Sequence, residues 1–186
     1  GNDMAIKEPW MMALSYLLHT YGEEELKALL AGKALQKRFD NSKATAIIRM
    51  INSGVNSPLT SSAGRFFDAV ASLLGIMDTV TFEAEAAIAL EAIAVPNADE
   101  AYFQPACAFS STETPVVIDL GPLIKGIIDD LTNGVDAAII AGRAHHTIKE
   151  VVVAAAKGVR AVAAINDVVL SGGVFQNALL AGITRG

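Results

Sequence analysis

One cysteine, Cys107, stands among 186 residues. The chain therefore has no internal disulfide framework and no Cys-x-x-Cys pair for zinc. Cationic side chains are also in the minority: 14 Lys and Arg against 20 Asp and Glu give a formal net charge of −6. The basic stripe that a phosphate backbone requires is missing, so nucleic acid is not an expected partner. A membrane span needs about 20 consecutive apolar residues. No such run occurs, although the hydrophobic fraction is 52% and the mean hydropathy is +0.41. The uncharged stretch Ala101 to Thr112 carries Gln104, Pro105 and several hydroxyls and reads as buried strand and loop. Gly1-Asn2-Asp3-Met4 lacks the basic-then-apolar order of a secretory leader. It reads as a boundary inside a longer protein, and the unpaired cysteine points to the cytosol.

What is present is helix pattern, much of it built from alanine, valine and isoleucine. A chain of this length fits one domain or one lobe, burying roughly two-thirds of its surface. The first helix is expected over Glu8 to His19, where Pro9 suits an early position because the first helical N–H groups lack partners anyway; Trp10, Leu14, Leu17 and Leu18 form its apolar face, and His19 falls at its end as a surface residue. Further helices are expected over Glu23 to Leu30, Ser42 to Asn52 before Gly54, Ser62 to Leu74 before Gly75, and Phe82 to Ala94. Pro96 and Asn97 break the pattern. Tyr102 to Ser110 and Val116 to Leu120 read as two short strands, a possible hairpin, around a polar turn at Ser111 to Thr114. Gly121-Pro122 opens a helix to Leu131, closed at Asn133-Gly134. A long helix follows from Val135 to Lys157, ending at Gly158, and a shorter one covers Val159 to Ile165. The β-branched run Val168-Val169-Leu170 then enters Ser171-Gly172-Gly173, and a new helix begins near Val174. No internal repeat or low-complexity linker divides the chain, so one compact, helix-rich α/β unit is expected over residues 1–186.

The passage from strand to glycine turn to helix is the strongest chemical feature. Adjacent glycines let backbone approach a ligand closely, and free N–H groups at a helix start favour an anion such as phosphate. Asn177, with an amide that both donates and accepts, suits a ribose or a base edge. The motif alone reads first as a tight strand-to-helix turn. His145 and His146 are adjacent, about 100° apart on a helix, and cannot easily share a metal; a packing role is expected of them.

Five segments, in order, resemble the HypF family of [NiFe]-hydrogenase maturation proteins: GNDMAIKEPW (1–10), PLTSSAGRFFDAVASLLG (58–75), TFEAEAAIALEAIA (81–94), AGRAHHT (141–147) and LSGGVFQNALL (170–180). The resemblance implies a helix-rich α/β fragment of that family's carbamoyl-transferring domain, a ribonuclease-H-like two-lobed fold shared with actin, sugar kinases and heat-shock ATPases. It implies use of carbamoyl phosphate and ATP to form carbamoyl-adenylate. It also implies transfer of the carbamoyl group to the carboxy-terminal cysteine of a HypE-type partner, on the route to the cyanide ligands of the hydrogenase iron.

By the same resemblance the nucleotide-binding residues are Asp68 on the ribose hydroxyls, Glu83, Ser171, Gly172, Gly173 and Asn177. Two structural alternatives stand beside these roles. Glu83 near a helix start also stabilises the helix dipole by roughly 0.3–1 kcal/mol, and Ser61 or Ser62 is an N-cap of the Asp68 helix. The family's Tyr-Glu-Gly-Gln is here Phe82-Glu83-Ala84-Glu85, so a hydroxyl and a glycine are replaced. The family's catalytic metal should be held by a histidine motif upstream of Gly1 and an aspartate downstream of Gly186, which leaves no metal ligand and no catalytic residue within this segment. Two rivals remain: the related threonylcarbamoyl-adenosine-forming tRNA enzymes, against which Gly1 to Trp10 and Phe175-Gln176 argue, and a non-catalytic helical interaction module.

Overall fold

The computed structural model describes residues 3–32, 35, 38–96, 98, 100–105, 107 and 115–185. Its elements are α1 (Asp3–Lys7), α2 (Pro9–Ala31), α3 (Asn41–Ser53), α4 (Ala63–Leu73), α5 (Glu85–Ile93), α6 (Gly121–Thr132), α7 (Ala137–Ala163), a 3-10 turn (Gly173–Gln176) and α8 (Ala178–Arg185). The first two expected helices are the limbs of α2, parted by Gly22, whose φ of +74° leaves the helical region. Asp40 caps α3 by accepting the N–H groups of Ser42 and Lys43, and Gly54 closes it in the left-handed conformation. Asp136 likewise caps α7 through the N–H of Ala138.

Helices α2 and α4 form the densest packing, with α5, α6 and the first half of α7 around them. Phe66 and Phe67 of α4 are both 1% exposed and sit at the centre. The Tyr16 and Phe66 rings meet edge to face at 5.7 Å, Phe66 meets Phe67 at 5.5 Å, and Phe67 reaches the imidazole of His145 at 4.8 Å. Such pairs add about 0.5–1.5 kcal/mol beyond the area they bury.

Several expectations are corrected. Gly158 does not end the long helix: α7 continues to Ala163 and absorbs the separate helix expected over Val159–Ile165, since a helix-interior glycine costs only about 1 kcal/mol. The helix expected from Phe82 begins at Glu85, because residues 81–84 fold as a turn. The helix expected from Val174 is first a 3-10 turn, with α8 starting at Ala178. Among the described residues no strand forms. Residues 115–120 and 164–172 lack regular structure, because β-branched residues make a strand only when another backbone lies alongside to complete the ladder. The turn at Ser111–Thr114, and residues 106 and 108–110 of the first expected strand, lie outside the described residues.

Candidate functional site

Asp68 lies in the middle of α4 and is 2% exposed. A lone buried carboxylate would be costly, but this one has an ion pair with Arg65 at 3.0 Å and accepts the backbone N–H of Ala87. Burial pushes its pKa up, with Arg65 and the Ala87 amide opposing. The Ala87 bond has a structural logic. Residue 84, which precedes α5, has no side-chain cap and sits at φ 64°, ψ 8°, so an orphan N–H in the first turn of α5 is met by Asp68 from a neighbouring helix. The positive φ also gives a physical reason for a glycine at position 84, since a Cβ is disfavoured there. Glu85 reaches back to accept from the N–H and hydroxyl of Thr81, closing the turn that carries Glu83.

One helical turn beyond Ala87 on α5, Glu91 accepts the N–H groups of Ala178 at 2.7 Å and Leu179 at 3.2 Å. Asn177 accepts the N–H of Leu180 at 2.7 Å and so caps α8. The first free amides of α8 are thereby taken, two of them by a carboxylate. The glycine turn that precedes them is open: Gly172 has φ +92°, and a Cβ built on either Gly172 or Gly173 would meet nothing within 4 Å. Ser171, Gly172 and Gly173 are exposed, whereas Val174 and Phe175 pack against the core.

The segment AGRAHHT of α7 organises both flanks of this region. Gly142 allows the carbonyl of Val95 and the methyl of Ala98 to lie against the helix; a Cβ there would come within 2.7 Å of the Ala98 methyl. Arg143 donates to Glu100 at 2.7 Å and Asp130 at 2.8 Å, and Tyr102 donates its hydroxyl to the same Asp130 at 2.8 Å. Burial is the first cause of the strongly raised pKa of Tyr102, followed by Asp130. A ring nitrogen of His146 bonds the Pro96 carbonyl at 2.9 Å, and Thr147 accepts the Tyr102 N–H at 2.9 Å. His145, 0% exposed, turns the other way, toward Ala141 at 2.7 Å and Asn177 at 2.9 Å. Burial holds its pKa below the usual imidazole value.

The sequence-predicted residues thus fall in two groups. Asp68 and Asn177 are anchors with partners, joined through Phe67, next to Asp68 in the chain, and His145. Glu83, Ser171, Gly172 and Gly173 are exposed, and none of their side chains has a partner among the described residues. Ser62, not Ser61, caps α4 by accepting the Arg65 N–H at 3.4 Å. Sequence reasoning missed Glu91; its signal was a lone charge within the apolar run Ala86 to Ile93. No group of three His, Cys, Asp or Glu gathers among the described residues as a metal set, and the described residues do not fit the ion that the resemblance implies for the whole domain.

A helix-rich unit that presents an open glycine turn beside a carboxylate-anchored helix pair matches one family along almost its whole length. Residues 1–185 match the family described as carbamoyltransferase, Kae1-like domain, second subdomain, and the chain belongs to this HypF carbamoyltransferase family. It is similar to carbamoyltransferase HypF of Synechocystis, with 34% identity over 97% of this chain and 24% of that protein. It also resembles a HypF homologue of Cupriavidus necator, with 31% identity over 97% of this chain and 45% of that protein. Among solved structures, a full-length HypF in a phosphate- and nucleotide-bound form superposes with a TM-score of 0.82 at 28% identity, covering 98% of this chain and 27% of that one. The HypF of T. kodakarensis shares the fold, with a TM-score of 0.75 at 22% identity over 100% of this chain and 24% of that one. The chain therefore spans less than half the length of these relatives. The family's Kae1-like domain bears out the expected fold class, although no strand forms among the described residues. No helix is long and apolar enough to cross a membrane among the described residues.

Proposed function

We propose that this segment supplies one wall of a nucleotide site in a carbamoyl-transferring domain. In this reading the full-length protein takes carbamoyl phosphate and ATP, forms carbamoyl-adenylate, and passes the carbamoyl group to the carboxy-terminal cysteine of a HypE-type maturation protein in the cytoplasm. The observation that carries the reading is the open turn Ser171–Gly173, whose glycines leave space for close approach and whose far end is fixed by the capped start of α8. Because Glu91 and Asn177 use the first amides of α8, a phosphate is met by the turn's own backbone rather than by the helix end. Ser171 adds a hydroxyl and Glu83 an exposed carboxylate. Asp68 and Asn177 contribute to nucleotide binding while anchoring α5 and α8. The metal and the opposite wall come from residues outside this segment, so the 186-residue chain alone is expected to have no turnover; carbamoyl-adenylate formation by it would overturn that expectation.

The test is photo-crosslinking of the full-length protein with an azidoadenine nucleotide, followed by peptide mapping. Labelling within residues 81–84 or 171–177 is expected, with loss of at least tenfold in Gly173→Asp, whose carboxylate repels phosphate without disturbing a buried contact. Labelling elsewhere only, or equal labelling of the variant, removes the basis of the reading.

A further inference from the structure

The bond between His145 and Asn177 belongs to a chain of hydrogen bonds whose polarity is fixed at both ends. At one end the Leu180 amide can only donate, so the oxygen of Asn177 faces it at 2.7 Å and the NH2 group must face His145. At the other end the Ala141 carbonyl can only accept, so Nδ1 of His145, 2.7 Å away, carries a proton. The remaining nitrogen, Nε2, is then a bare acceptor for the Asn177 amide at 2.9 Å. Neither the asparagine nor the imidazole can be flipped without placing two donors or two acceptors face to face. The imidazole plane is held by the Phe67 ring at 4.8 Å and 33°, and Phe67 precedes Asp68 in α4.

From this geometry we infer that His145 is a positioning residue for the glycine turn: acting through Asn177, it fixes the carboxy-terminal end of Ser171–Gln176 relative to the Asp68 helix. The consequence for nucleotide binding rests on the reading of that turn as the phosphate loop. The turn's amino-terminal end carries exposed Ser171 and Gly172, so its placement depends on the core packing of Val174 and Phe175 together with the pinned end. A hydrophobic isostere at 145 would leave the Asn177 amide without its acceptor. Glutamine would keep both roles, since its amide donates at one atom and accepts at the other.

Hydrogen exchange by mass spectrometry on the full-length protein decides this. In His145→Leu and in Asn177→Ser, whose shorter hydroxyl can still cap α8 but cannot reach His145, the amides of Phe175 and Asn177, bonded to the Gly172 and Val174 carbonyls, are expected to exchange at least tenfold faster. Residues 121–132 of α6 should be unchanged, and His145→Gln should lie within threefold of the unsubstituted protein. Protection of the same peptide by AMP is expected to require at least tenfold more nucleotide in the Leu and Ser variants. Unchanged exchange in Asn177→Ser, or a Gln variant as loose as the Leu variant, overturns the positioning role; Asn177→Ser also decides the matter if the Leu variant does not fold. If the exchange pattern is as expected but AMP protects none of the proteins at this peptide, the positioning role stands and the nucleotide reading fails.

Discussion

Helix α7 has two halves with opposite fates. Between Ile140 and Ile148 it buries seven residues, among them Gly142, His145 and Thr147, although that stretch also carries Arg143 and His146; from Lys149 to Ala163 it buries none, although it contains Val151-Val152-Val153-Ala154-Ala155-Ala156. The more apolar half is the less buried. In the first half each polar side chain has a partner of the correct kind, so it stays inside at little cost, and α4, α5 and α8 supply the neighbours. The second half borders an open groove of about 490 Å³, shared with Ile165, Val168, Val169 and Leu170. Val168 is 60% and Val169 88% exposed there. Hydrophobicity along a helix thus sets what can be buried, and the presence of a neighbour sets what is.

The sharpest way to break the contrast is to remove the centre of the packed half. Phe67→Ala takes away the ring between Phe66 and His145 and is expected to cost about 3–5 kcal/mol, read as a lower urea midpoint at unchanged slope. Gly142→Ala should cost about 1–3 kcal/mol despite alanine's better helix propensity, because the methyl has to displace Val95 and Ala98; a neutral or stabilising result would mean that Val95 and Ala98 are not held against α7. Acid tests the same half. The ordinary imidazole pKa is 6.5 and burial lowers that of His145 in the folded chain. The unfolded chain therefore binds the proton more readily, and the stability due to neutral His145 is complete above pH 6.5 and is lost as pH falls toward its folded value. Thermal melts should show this loss below pH 6.5 and a smaller slope in His145→Gln. Asp68, whose pKa is raised, acts oppositely at lower pH: protonation relieves its burial.

Smaller effects sharpen the comparison. Ala84→Gly relieves the left-handed backbone before α5 and should stabilise by about 0.5–1 kcal/mol, measurable as a higher melting temperature. Val169→Asp, in the groove that borders the exposed half, should change stability by less than about 0.5 kcal/mol while reducing any concentration-dependent association seen by light scattering. A large loss of stability would show that the groove is packed.

Much of this was legible in the residues. Helix starts at Pro9 and Gly121-Pro122 and the stop at Gly54 follow from local backbone chemistry, so they read directly from sequence. The glycine turn was equally visible. The caps on α5 and α8 were not, because Asp68 lies 19 residues from Ala87, and Glu91 lies 87 and 88 residues from the amides it accepts; no local pattern encodes such a partnership. The strand expected at 168–170 failed for the same reason in reverse: Val168-Val169-Leu170 has the composition of a strand, but a ladder needs a second backbone.

The sequence by itself determined the family, the glycine turn at Ser171–Gly173 and the bodies of most helices though not all of their ends, since propensity, glycine conformation and motif order are properties of short stretches. Only the tertiary structure decided that Asp68 and Glu91 cap other helices, that Ala84 carries a left-handed backbone, and that His145 holds Asn177. Each of these depends on which donor meets which acceptor once distant helices are packed together.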